Sequence, residues 1–195
     1  MLFTRRFRLA LFVLSLPAFA ATAPGIKNFD QVDAHVYRGG QPTNEGFQYL
    51  SKLGVKTVID LREGGSRAQA EALVVSADGM QYINVPMSGL TPPSDAEISK
   101  VLSILEDRTS GPVFVHCQRG ADRTGTVIAA YHIDFDRWDN ARALADANAH
   151  HMSVFQFPRK QYIKSFRPRK VEAKAPVAVP APAAPAVIVQ GSAQN

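Results

Sequence analysis

One cysteine and one arginine, with five residues between them, hold the chemistry this chain can do. The stretch His116-Cys117-Gln118-Arg119-Gly120-Ala121-Asp122-Arg123-Thr124-Gly125 contains the only cysteine of the 195 residues. Pro112-Val113-Phe114-Val115 precedes it as an apolar run that reads as a buried strand, and Thr126-Val127-Ile128-Ala129-Ala130-Tyr131 continues it as the body of a helix. A strand that feeds a short loop opening a helix is suited to holding an anion. Successive loop N–H groups converge, the helix start adds positive potential, and Arg123 can grip two oxygens at once. The same surroundings lower a thiol's pKa, so Cys117 is expected as a thiolate. An inert core cysteine would stand inside the strand, not at its end before Gly120. The expectation is a nucleophile seated in an anion cradle.

A cradle needs a scaffold that brings other segments to the same end of the molecule. Val36-Tyr37-Arg38 reads as a short strand running into Gly39-Gly40-Gln41-Pro42. Thr43 then caps a helix with Phe47, Leu50 and Leu53 on one face and Gly54 as its stop. Residues 55–61 suit an inner strand, 66–77 a helix and 81–85 another short strand. Ser94-Asp95-Ala96-Glu97 has the form of a capping box ahead of a buried stripe, Ile98, Val101, Leu102 and Leu105. After the 113–116 strand, helices are expected through 135, over 138–149 and over 158–166. Strands alternating with helices predict an α/β fold, a single domain over 26–169. Its central, largely parallel sheet would have about four to five strands flanked by helices. Ligands in such sheets sit at the carboxyl ends of the strands, where Cys117 falls.

The two ends of the chain read differently. Arg5, Arg6 and Arg8 lead into an apolar run over 9–16 that is too short to span a bilayer, and Ala18-Phe19-Ala20 has the form of a cleavage site. Residues 1–20 are therefore expected to be a signal peptide. The mature protein would be exported, periplasmic or secreted, with no membrane span after cleavage. From 171 to 195 the prolines Pro176, Pro180, Pro182 and Pro185 among alanines and valines predict a disordered tail. The formal charge is +5. Three of those charges are arginines of the leader, which leaves about +2. Arg159, Lys160, Lys164, Arg167, Arg169 and Lys170 form an acid-free basic run. It reads as a solvated domain edge, or more sharply as a patch for anions. Nothing resembles a nucleic-acid-binding motif. His150-His151 point apart on a helix with no cysteine or carboxylate cluster beside them, so neither metal nor cofactor is expected.

The stretch 116–125 resembles the signature of the cysteine-dependent protein tyrosine phosphatase superfamily, with His116, Cys117, Arg123, Thr124 and Gly125 at the signature spacing. The segments Val36-Tyr37-Arg38-Gly39 and Gly54 to Arg62 are similar to the small atypical dual-specificity phosphatases. The likeness runs from about Asp30 to Phe166. It implies that Cys117 attacks phosphorus, that a phosphocysteine forms and that water then hydrolyses it. Arg123 and the amides of Gln118, Arg119, Gly120 and Ala121 would hold the phosphoryl oxygens, and Thr124 would stabilise the thiolate. His116 is read as support behind the loop.

The resemblance leaves the proton donor open. Family members usually carry an aspartate on a loop well before the cysteine, but residues 85–91 contain no acid. Asp95 follows, as a capping-box residue that also suits the helix dipole. Asp122, next to Arg123, resembles the loop aspartate of myotubularin-type phosphatases and is placed slightly ahead. Arg119, Arg38 and Arg62 are expected to bind the rest of a phosphorylated protein, lipid or inositol substrate. Arg38 could equally pair with a carboxylate inside the fold. Two rivals remain: a rhodanese-type sulfurtransferase, and a phosphate-binding module without turnover.

Overall fold

Strands and helices alternate along residues 23–169, the part of the chain that the computed structural model describes. The leader expected over 1–20 and the tail expected over 171–195 lie outside the described residues. The strands are β1 (Asp30–Gln31), β2 (Val36–Gly40), β3 (Thr57–Asp60), β4 (Gln81–Asn84) and β5 (Val113–Cys117). The helices are α1 (Asn44–Lys52), α2 (Ser66–Ala77), α3 (Asp95–Glu106), α4 (Asp122–Asp134), α5 (Asn140–Ala149) and α6 (Phe157–Ser165). The sheet order is β1-β2-β5-β3-β4, parallel throughout except for β1 against β2. This is the expected α/β domain.

Strand register decides what the site is made of. Gly40 pairs with Cys117 and Asp60 with His116, so the carboxyl ends of β2, β3 and β5 meet at one edge. Side chains alternate across a strand. In β5, Val113, Val115 and Cys117 join the core under α3, α4, α5 and α6, while Phe114 joins the core under α1 and α2. His116 stacks on Phe114, with ring centroids 5.6 Å apart, and so takes that second face. The period of two separates the nucleophile from the histidine beside it.

Local chemistry sets the helix starts. Thr43 Oγ1 accepts from the Gly46 amide at 3.3 Å, and Ser94 and Glu97 close the capping box as read from sequence. Asp139 accepts from the Arg142 amide at 2.8 Å, which starts α5 at Asn140 rather than 138. Strand β1 is not legible in the sequence, because two exposed residues leave no period to read. The basic run is not one solvated face. Arg159 is fully buried and donates to Ser88 O, and Arg169 pairs with Asp134 and Glu106 at 2.5 Å each. Among the described residues no helix is long and apolar enough to cross a membrane.

Candidate active site

The loop leaves β5 at Cys117 and enters α4 at Asp122, bending at Gly120, whose φ is +71°. A Cβ at Gly120 would stand 2.3 Å from Gly39 C and 2.4 Å from Gly40 N, so the bend is pressed against the end of β2. Its carbonyl is tied backwards. Gly120 O accepts from Asn28 Nδ2 at 2.9 Å and Arg38 Nη2 at 3.2 Å, and Gln118 O accepts from the Gln41 amide at 3.3 Å. Ala121, the buried N-cap of α4, offers no side-chain acceptor to the first-turn amides. These N–H groups are left for an anion or for the sulfur.

Cys117 is buried, and burial pushes its thiol up. The Thr124 hydroxyl and amide, the Arg123 charge and the Arg119 amide all act the other way and prevail, so the thiol sits below its ordinary pKa. The Thr124 hydroxyl is buried and bonded to no other polar group, which leaves it for the sulfur. Arg123 Nη1 donates to the carbonyls of Leu61 and Met87, both at 3.4 Å, which fixes the guanidinium over the loop. Above it opens a pocket of about 190 Å³ lined by Arg62, Glu63, Arg67, Gly89, Gln118 and Arg123. Arg67, Arg123 and the converging amides make it a site for a doubly charged oxyanion.

A buried charged cluster supports the loop from the other face. His116 Nε2 lies 2.8 Å from Glu71 Oε1, and His116 Nδ1 lies 3.4 Å from Cys117 O. Glu71 also meets Arg62 and Gln41, both at 2.5 Å. Arg62 in turn donates from Nε and Nη2 to Asp60 at 2.9 and 2.8 Å, and Tyr82 donates to the same carboxylate at 2.8 Å. Burial pushes Asp60 up, but Arg62 outweighs it and holds the carboxyl below its usual range. Asp60, Glu71 and His116 have ligand atoms within 4.8 Å of one another, a spacing a metal could use, and the Arg62 guanidinium binds both carboxylates there. Glu71→Gln is expected to cost about 2 kcal/mol, because the half-buried Arg62 and the buried His116 lose their shared partner. Urea unfolding of the two proteins checks it.

Arg38 and Asp95 do not stand where the sequence places them. Arg38 is fully buried behind the loop, donating to Gly120 O and pairing with Asp146 at 3.4 Å, so it braces the cradle and does not face substrate. Arg62 reaches the pocket wall, but Nε and Nη2 are committed to Asp60 and Glu71. Asp95 accepts from Tyr162 Oη at 3.0 Å and lines a different cavity with Ser99 and Arg167, which removes it as the proton donor. Asp122 stays beside the loop, but Oδ1 accepts from the Ser153 amide at 2.8 Å and Oδ2 from Arg119 at 2.5 Å. Sequence reasoning missed Asn28, Glu71 and Asp146. No spacing links them to Cys117; Asn28, for one, reaches Gly120 from 92 residues away.

A parallel sheet carrying Cys117, a phosphate-shaped loop and Arg123 at one edge is the domain of a cysteine-dependent phosphatase of the dual-specificity type. A family model described as "DSP-PTPase phosphatase fused to NAD+ Kinase" matches residues 16–165, and the chain belongs to that family. The dual specificity protein phosphatase TpbA of Pseudomonas aeruginosa (strain UCBPP-PA14) is 32% identical over 138 residues, covering 67% of this chain and 57% of TpbA. The probable chloroplastic NAD kinase 2 of Oryza sativa subsp. japonica is 29% identical over 125 residues, covering 62% of this chain and 13% of the rice protein. The crystal structure of P. aeruginosa TpbA superposes with a TM-score of 0.64 at 26% identity, over 75% of this chain and 88% of that one. The chain thus spans little more than half of TpbA and a small part of the rice protein.

Proposed function

We propose that this chain hydrolyses phosphomonoesters through a phosphocysteine on Cys117. The observation that carries the reading is a buried thiol at the end of β5, held below its ordinary pKa by Thr124, Arg123 and two amides, with its neighbour Gln118 and its partner Arg123 lining an arginine-rich pocket. The sulfur forms the S–P bond as the ester P–O bond breaks, and the departing oxygen takes a proton. Arg123 and the loop amides hold the oxygens of the phosphoryl group in flight. Water then attacks phosphorus, the S–P bond breaks, and the Thr124 hydroxyl stabilises the thiolate that leaves. Substrates in this reading are phosphotyrosine or other phosphoprotein, lipid or inositol phosphates; likeness to a dual specificity protein phosphatase supports phosphoprotein.

The test is phosphate release from p-nitrophenyl phosphate, with Cys117→Ser as the blank and vanadate as inhibitor. The account expects turnover that needs Cys117 and that vanadate stops; turnover of thiosulfate instead would favour the sulfurtransferase. A lowered thiol pKa also fixes the pH response. Iodoacetate alkylation of Cys117 should stay fast at pH values where an ordinary thiol is protonated, and should slow only as pH falls through the lowered value. A rate that follows an ordinary thiol removes the thiolate from the mechanism.

Two carboxylates are candidates to supply the leaving-group proton. Asp122 adjoins Arg123, and Glu63 lines the pocket. The reading keeps Asp122, whose Arg119 partner is 61% exposed and can turn to a bound phosphate. Asp122→Asn is expected to lower kcat on an alkyl phosphate about a hundredfold while sparing p-nitrophenyl phosphate, whose leaving group needs no proton. Equal loss on both substrates would make Asp122 a brace. Loss confined to Glu63→Gln would move the role to the pocket wall.

Export belongs to the same reading, supported by Arg5, Arg6 and Arg8, the apolar run after them and Ala18-Phe19-Ala20. Fractionation of a Gram-negative host tests it, with processed chain expected outside the cytoplasm.

A further inference from the structure

Among the described residues seven large apolar side chains are exposed, and four of them lie on two segments that bond to Gly89 or Asp122 or directly follow Gly89. Leu90 is 85% exposed, on the turn after Gly89; Val154, Phe155 and Phe157 are 66%, 81% and 70% exposed, between α5 and α6. These two segments touch each other and the site. Gln156 Nε2 donates to Gly89 O at 3.4 Å, Arg159 donates to Ser88 O, the Ser153 amide donates to Asp122, and Gly89 lines the pocket. Isolated exposed apolar residues are ordinary. Two phenylalanines, a valine and a leucine on two segments bonded to each other and to the site mark a docking surface.

The charge around this rim selects its occupant. Arg119 is 61% exposed in the loop, Arg67 stands on the pocket wall, and Lys160 follows Phe157 on α6. Glu63 is the only acid among the side chains that line the pocket. Exposed aromatic and aliphatic tips rimmed by basic groups match the boundary of an anionic bilayer, where apolar tips enter the acyl edge and cations meet headgroup phosphates. We propose that the 88–92 and 153–157 segments dock on an anionic lipid surface, and that the substrate is a phosphomonoester headgroup carried in it. This rests on the phosphatase reading above.

The probe is phosphatidic acid in phosphatidylglycerol vesicles, compared with water-soluble dibutanoyl phosphatidic acid and a phosphotyrosine peptide, all with the full chain. The double variant Phe155→Ser/Phe157→Ser is expected to lose about tenfold in kcat/KM on vesicles and to keep its rate on the two soluble substrates and on p-nitrophenyl phosphate. Unchanged vesicle turnover overturns the proposal. So does an equal loss on the phosphopeptide, which would make the patch a protein seat. Absence of any p-nitrophenyl phosphate turnover in the unmodified chain overturns the phosphatase reading instead, and docking is then read directly. Phe155→Trp should be quenched by brominated phosphatidylglycerol beyond the signal of Trp138 alone; no added quenching overturns docking.

Discussion

Arg123→Lys is expected to cost about two to three orders of magnitude in kcat/KM on any phosphomonoester this chain accepts. The reason is geometric rather than a matter of net charge. A guanidinium can hold two phosphoryl oxygens through parallel N–H donors, while an ammonium meets them as one point charge on a flexible stem. Arg123 is also positioned by its bonds to the carbonyls of Leu61 and Met87, where β3 ends and the turn after β4 passes. Lysine has no planar fork to satisfy both carbonyls and phosphate together. Steady-state kinetics with p-nitrophenyl phosphate measure the loss, and circular dichroism should show an unchanged fold. Activity within tenfold of the parent would mean that the loop amides carry the charge without Arg123.

Gly120→Ala should damage the cradle severely. The backbone there has a φ of +71°, and the added carbon would lie 2.3 Å from Gly39 C and 2.4 Å from Gly40 N. Those are backbone atoms of a paired strand, so nothing flexible can step aside. The strain of φ and the overlap together cost about 4 kcal/mol. Gly79→Ala is the control: its φ is +77° with no atom within 4 Å, so only the conformational part, about 1 kcal/mol, is expected. Urea unfolding separates the two. If both alanines cost the same, the loop is not pressed against β2 as described, and the account of the cradle fails with it.

Gly120 also shows where reading by sequence stops. Its place between Cys117 and Arg123 marks a bend, and the strand-loop-helix frame around it follows from hydrophobic period and turn residues. Helix starts at Thr43 and Ser94 were legible because a cap is a local contact within three residues. The partners that shape the loop are not local. Arg38 ends a strand and looks like a substrate arginine until tertiary packing buries it against Gly120 O and Asp146. Glu71 lies on a helix with no acidic pattern to single it out, yet it is the anion His116 and Arg62 share. Asp95 reads equally well as helix cap or proton donor, because sequence does not reveal the direction in which the helix start faces. Its bond to Tyr162 decides for a different cavity.

The alternation of β5 joins these pieces. It sends Cys117 toward α4, where the helix start and Thr124 stabilise a thiolate, and His116 toward α2, where Glu71 and Phe114 hold it. The nucleophile and its support are neighbours in sequence and on opposite faces of the sheet.

The central claim is that phosphate passes through Cys117, and a trapped intermediate tests it most directly. Thr124→Ala removes the hydroxyl left for the sulfur, which should slow breakdown of the S–P bond more than its formation. The full chain bearing Thr124→Ala is mixed with p-nitrophenyl phosphate, quenched in denaturant and digested. Mass spectrometry is expected to find one phosphate on the peptide carrying Cys117 and none in the Cys117→Ser chain. Product release with no phosphate on Cys117 at any time point, or turnover that survives Cys117→Ser, would contradict the account.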